Sequence, residues 1–251
     1  MNLEQSQKVL HCAMSIGELL LTSGAEVGRV EDTIRRICTA YGATRVDVFS
    51  ITSSIVTTMF GEGFESCTQT RRVPPMKNDF TKLHRLNQLS RWICENRPDP
   101  DVIPERIEKI RTGHVYSLRT LLLTYGMIAG AFTVFFGGTF MDMLASIVVA
   151  MLLKCLEASL QHGPGNALLT SLLCSSAGGF LSNLAVFVGF GAHADMISIG
   201  NIMLFIPGVM FTNSLRDMFS GDLITGLIRF AESLLIAVIV ALGFTFAGFL
   251  F

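Results

Sequence analysis

The sequence predicts an α-helical membrane protein in which a small cytoplasmic α+β domain precedes five transmembrane helices. Three observations carry that expectation. Charge is divided unevenly. Nine charged side chains (Asp142, Lys154, Glu157, Asp195, Arg216, Asp217, Asp222, Arg229 and Glu232) fall in residues 120–251, and the other 30 lie in the first 119. A soluble surface of that length needs far more charge to stay wet. Second, long apolar runs fill the second part, and mean hydropathy is +0.52 for the whole chain. Third, the first part alternates helical and two-residue periods, punctuated by Gly and Pro. The expected division is a cytoplasmic α+β domain over 1–116 and a membrane domain over 117–251.

Composition excludes several function classes. Nineteen basic against twenty acidic side chains give a formal charge of −1, so nucleic acid is not an expected partner. The six cysteines, Cys12, Cys38, Cys67, Cys94, Cys155 and Cys174, form no C-x-x-C pair and read as free thiols in hydrophobic positions. His11, His84, His114, His162 and His193 are scattered, and there is no H-E-x-x-H, G-x-S-x-G or Walker pattern. No metal, no cofactor and no enzyme activity are expected. Glu4, Lys8 and Glu18 interrupt the N-terminal run, so it does not read as a signal peptide. The first domain is therefore expected in the cytoplasm.

The elements follow in order. Val9, Cys12, Ala13, Ile16, Leu19 and Leu20 recur at helical spacing over 5–22, and Ser23-Gly24 stops the run. A second helix spans Val27–Tyr41, with Val30, Ile34, Ile37 and Cys38 inward and Gly42 as its stop. From Arg45 to Phe60 the period is two, Gly61-Glu62-Gly63 makes a tight turn, and Phe64–Val73 returns as the partner strand of a hairpin. The Ser50–Thr58 stretch reads either as a solvated strand face or as the lining of a polar cavity. Asp79–Glu95 is amphipathic, and a short helix runs from Pro104 to Arg111.

Five apolar segments have near-spanning length: Leu118–Phe136, Met141–Leu160, Ala167–Gly189, Asp195–Thr212 and Leu227–Leu250. Arg106, Lys109, Arg111 and Arg119 precede the first, and Arg216 and Arg229 flank the last loop. The turns at Gly137–Thr139 and Phe190–Ala194 lack lysine and arginine. The positive-inside rule then places the first domain in the cytoplasm and Phe251 outside. Small residues, among them Gly126, Gly130 and the Ser175–Gly179 run, permit close helix packing.

Candidate substrate or ion-pathway residues are those that hydrocarbon does not tolerate alone. Lys154 and Glu157 share one helical face, either snorkelling to the interface or lining a polar path. Asn201, Pro207, Gly208, Asn213, Arg216, Asp217 and Asp222 form the richest stretch. Pro207 removes a helix hydrogen bond and frees a carbonyl, which makes either a simple kink or a binding point of the kind broken transporter helices supply. Arg229 and Glu232 stand three apart, a spacing that allows an ion pair.

Ser23-Gly24-Ala25-Glu26, Arg29-Val30-Glu31, the Ser50–Thr58 strand, Ile206-Pro207-Gly208, Asn213, Asp217-Met218-Phe219, Gly221, Gly226 and Arg229 together resemble the threonine/serine exporter family. The likeness is to its N-terminal-half component, in the split two-subunit form associated with succinate export. The resemblance implies ion-gradient-coupled efflux of a small polar metabolite, threonine/serine or a dicarboxylate such as succinate. It also implies a bacterial inner-membrane location, a second membrane subunit of four or five spans, and an oligomer within the lipid bilayer. The competing expectation is a membrane-anchored sensor or regulatory subunit whose soluble domain binds a small ligand. Pro207→Ala restores a backbone donor and straightens the segment. Its expected outcome is reduced efflux at an unchanged amount of protein in the membrane; immunoblotting beside labelled-metabolite efflux checks both.

Overall fold

The computed structural model describes residues 2–113, 116–160 and 166–248. His114, His162 and the end of the last expected span, Leu250, lie outside them. Two compact units emerge. One gathers the N-terminal α+β domain and Val209–Phe230; the other gathers the membrane helices up to Gly208 and the stretch from Ala231 onward.

In the first unit, helix α1 (Leu3–Thr22) opens with a capping box. The Asn2 side chain accepts from Gln5 N at 2.8 Å, while Asn2 N donates back to Gln5 Oε1. Helix α2 (Val27–Ala40) follows after a turn in which Gly24 has φ +96°. Gly42, at φ +95°, then leads into strand β1 (Ala43–Ile51). Strands β2 (Ser54–Gly61) and β3 (Phe64–Arg72) complete an antiparallel meander in the order β1-β2-β3. The expected hairpin is thus three strands. The stretch from Arg45 to Phe60 folds back on itself at Thr52-Ser53, pairing Ile51 with Ser54. Neither Gly nor Pro marks that turn, and its Ser and Thr residues suit strand and turn alike.

Alternate residues of β2, namely Ile55, Thr57 and Met59, are buried against the helices. With Leu10, Met14, Ile16, Leu20, Ile34 and Ile37 they form the core, which helix α3 (Phe80–Asn96) joins through Leu86 and Ile93. Each fully buried aliphatic side chain contributes about 1.5–3 kcal/mol. Helix α4 (Ile103–Arg111) closes the domain with Pro104 in its first turn. All six cysteines are free thiols, and burial pushes Cys12 up to about 11 and Cys38 up to about 12. Both are therefore inert at neutral pH.

The apolar half contains a bundle of membrane-spanning helices. Among the described residues, four are long and apolar enough to cross: α5 (Leu118–Phe135), α6 (Phe140–Leu160), α7 (Ala167–Phe187) and, last in sequence, α10 (Leu223–Gly248). The expected span Asp195–Thr212 is not one helix. It divides into α8 (Ala194–Ile202) and α9 (Gly208–Phe219). Pro207 has no N–H to give, so the ladder stops after Ile206 N donates to Ile202 O. At about 1.5 Å per residue, α8 alone falls far short of the hydrocarbon thickness.

The small-residue faces are used inside the bundle. A Cβ on Gly126 or Gly130 would meet Ile147 of α6 at 3.0 and 2.9 Å. One on Gly178 would meet Phe244 at 2.7 Å, and one on Gly179 would meet Ala247 Cβ at 2.7 Å and Phe244 O at 2.8 Å. Gly179→Ala must push α7 and α10 apart, and overpacking of that kind costs about 1–3 kcal/mol. Nothing stands within 4 Å of a Cβ on Gly248. Thermal unfolding in detergent is expected to show a lowered midpoint for Gly179→Ala and none for Gly248→Ala.

Candidate functional site

The turn between α1 and α2 collects the polar groups of α9 and the start of α10. Gly24 cannot carry a side chain there, since its φ is positive and a Cβ would stand 2.5 Å from Asn78 Oδ1. Glu26 occupies the N-cap of α2 but makes no side-chain cap bond. The cap comes from elsewhere: Val27 N donates to Asp217 Oδ1 at 3.4 Å. Arg229 Nη1 donates to Asp217 Oδ2 at 2.7 Å, and its Nη2 donates to Ala25 O at 3.2 Å. Asn213 Nδ2 donates to Gly24 O at 3.3 Å, and Arg216 pairs with Glu26 at 2.8 Å in a more exposed position.

Asp217 and Arg229 are almost fully buried, at 1% and 2% exposure. Burial pushes the Asp217 carboxyl above its ordinary value, while the Arg229 guanidinium and the Val27 N–H pull it back and the Asp222 charge adds to the rise. Asp222 itself follows Gly221, which turns the chain at φ +99°, and its N–H donates to Asp217 O at 2.9 Å. Gly226 lets α9 and α10 meet closely, since a Cβ there would stand 2.9 Å from Ser214 O.

Within the membrane bundle, Lys154 and Glu157 pair at 2.8 Å with side chains only 12% and 21% exposed. Lys154 also donates to Tyr125 Oη at 3.3 Å and lies 4.5 Å from that ring's centroid. Asn201 is fully buried and donates to Ser146 Oγ at 3.1 Å and to Ile197 O at 2.9 Å. Sequence reasoning passed over Asp142. It is fully buried and accepts from Thr139 N, Thr139 Oγ1, Ala192 N and His193 N, and it lies 2.9 Å from His193 Nδ1. It ties the α5–α6 connection to the α7–α8 connection. The signal was present: Thr139-x-x-Asp142 has capping-box spacing at the start of α6.

The structure therefore brings Asn213, Arg216, Asp217, Asp222 and Arg229 into one cluster. Lys154 with Glu157 forms a second, and Asn201 stands in a third. Pro207 and Gly208 mark the break between α8 and α9. Glu232 is exposed, and the spacing-based expectation that Arg229 pairs with it gives way to the buried bond to Asp217. No group of three or more His, Cys, Asp or Glu side chains is placed to hold a metal among the described residues.

Removing one member of a buried ion pair leaves the other charge stranded, at a cost of about 3–5 kcal/mol. Asp217→Leu and Arg229→Met are each expected to lower the unfolding midpoint in detergent. The double variant is expected to lose less than the sum of the two, and a double-mutant cycle measures that coupling.

Residues 11–251 match the family model described as "Putative threonine/serine exporter". The threonine/serine exporter of Corynebacterium glutamicum is 26% identical over 238 residues, covering 90% of this chain and 48% of the relative. The "Probable succinate transporter subunit YjjP" of Escherichia coli K12 is 24% identical over 251 residues, covering 98% of this chain and 96% of the relative. The "Probable threonine/serine exporter" of Mycobacterium tuberculosis is 22% identical over 242 residues, 95% of this chain and 45% of the relative. This chain thus spans about half the length of the two exporters and nearly all of the transporter subunit. No solved structure matches it. Family membership supports a non-enzymatic transport role for a multi-span membrane protein related to amino-acid and dicarboxylate exporters. The matched region takes in the α1–α2 turn and every residue that converges on it, and the chain belongs to the threonine/serine exporter family.

Proposed function

We propose that this chain is one component of an ion-gradient-coupled exporter of small polar metabolites, threonine/serine or a dicarboxylate such as succinate. The reading places it in a bacterial inner membrane, with the N-terminal domain cytoplasmic. A second membrane subunit of four or five spans completes the transporter. The observation that carries the reading is the buried Asp217–Arg229 pair holding the α1–α2 turn. A buried carboxyl raised by its surroundings is a proton carrier in kind, and taking up a proton weakens its hold on both Arg229 and Val27.

In this reading α8 and α9, interrupted at Pro207, contain the fifth crossing over Asp195–Thr212, a broken helix of the type transporters place at their binding points. Arg106, Lys109, Arg111, Arg119, Arg216 and Arg229 supply the positive-inside bias. Support for a partner comes from the relative named as a subunit, which this chain matches over nearly its whole length.

Efflux of labelled serine, threonine and succinate from cells carrying the chain, with and without a co-expressed partner, tests the function. Loss of all efflux differences from cells lacking the chain overturns it. Asp217→Asn removes the titrating group, so the pH dependence of the remaining flux is expected to flatten across an external pH series. A cysteine placed at the exposed turn residue Glu62 is expected to resist an impermeant thiol reagent in intact cells and to react in lysed ones.

A further inference from the structure

We propose that the amide oxygen of Asn201 is a cargo-binding acceptor that takes a primary ammonium group. This deepens the exporter reading and rests on it. The amide's orientation is fixed by its own bonds. Both Nδ2 hydrogens are spent, one on Ile197 O at 2.9 Å and one on Ser146 Oγ at 3.1 Å. Turning the amide over would set Oδ1 against the Ile197 carbonyl, acceptor against acceptor. Oδ1 is therefore left buried with no donor among the described residues. An unmet acceptor in such a place costs about 1–3 kcal/mol. Among the described residues, Thr57 Oγ1 in the N-terminal domain is the other buried side-chain oxygen without a partner, but it belongs to a hydroxyl free to rotate.

The chemistry around Asn201 selects the guest. Gly200 has no Cβ, and this brings the backbone of α8 close to Thr133 Oγ1, Ala129 O and Ser146 Oγ. Thr133 and Ser146 are fully buried, and Thr133 spends its proton on Ala129 O at 2.9 Å. These oxygens line the adjoining Gly200 position, and Ser146 Oγ also reaches the Asn201 amide. Asn201 also lies in the last turn of α8, whose ladder ends at the Pro207 break, so the partial negative charge of a helix C-terminus is added. Unwound ends of broken transporter helices hold cations in this way. At Oδ1 itself a carboxylate would set acceptor against acceptor, and Lys154, the cation of α6, is already paired with Glu157 at 2.8 Å. An ammonium group supplies both the missing donor and the complementary charge. In the conformation described, the oxygen is closed off from solvent, and the break at Met203–Pro207 leaves α8 with an end not tied into a continuous helix.

The test is thermal unfolding of the full chain in detergent with L-serine, with 3-hydroxypropanoate (the same molecule without its ammonium group) and with succinate. Serine is expected to raise the midpoint and the other two to leave it unmoved. Asn201→Leu is expected to raise the half-saturating serine concentration about tenfold or more, the loss of a hydrogen bond to a charged group. Equal protection by 3-hydroxypropanoate or succinate overturns the assignment and leaves the exporter reading standing. Serine protection that survives Asn201→Leu unchanged reduces the oxygen to the seat of a structural water and also overturns it. If none of the three compounds protects the wild-type chain, the assignment falls, while the exporter reading is decided separately by the efflux measurement with the co-expressed partner. The comparison of ligands on the wild-type chain needs no variant to fold.

Discussion

Hydrocarbon offers no partner to a polar group, so each charge or amide in the apolar half must be answered by the protein itself. That constraint shapes the sites described. Lys154 is answered by Glu157 and Tyr125, and Asp142 by two connecting loops and His193. Asn201 has both of its donors answered and its acceptor left over. Charges are few in this half of the chain, and Asp142, Lys154, Glu157, Asp217 and Arg229 among them hold specific segments together.

Asp217 shows how one side chain can serve several structural needs. It neutralises Arg229, and it caps α2 in place of the Glu26 side chain, which turns outward to Arg216. Arg229 in turn covers the carbonyl of Ala25. A buried ion pair by itself adds little net stability, because desolvation offsets most of the attraction. Its backbone bonds change that balance, since the same two charges satisfy an otherwise orphaned helix donor and a turn carbonyl. A proton on Asp217 would therefore loosen the pair and the cap of α2 in one step.

Much of this was legible in the sequence. Ser23-Gly24 and Gly42 end helices where periodicity and Gly chemistry predict, and the long apolar runs match α5, α6 and α7 within a few residues at each end and α10 within a few residues at its start. Asn213, Asp217 and Arg229 stood out through the family-like motifs. Their geometry did not, because the partner of Asp217 lies in a different helix and its backbone donor, Val27, is 190 positions away. Local spacing pointed Arg229 toward Glu232. A bond three residues along an exposed face is worth a few tenths of a kcal/mol, whereas a buried carboxylate cannot stay charged without its cation. The β1–β2 turn was missed because Thr52 and Ser53 carry no unambiguous turn signal.

The glycine faces bear on assembly. In a bilayer, helices associate through close packing and polar contacts rather than through exclusion of water. Gly126 and Gly130 are already filled by Ile147, and Gly178 and Gly179 by Phe244 and Ala247. These motifs are therefore spent within the chain and do not argue for a second subunit. The spanning helices nevertheless keep large side chains outward, including Leu123, Met127, Leu169, Leu173, Leu242 and Phe246. Lipid suits such a surface as well as protein does. Any partner subunit must then be recognised through the dispersion of well-matched side chains or through polar groups of its own, and glycine-to-bulky substitutions at the four positions above would disturb this chain's fold before they disturbed an assembly.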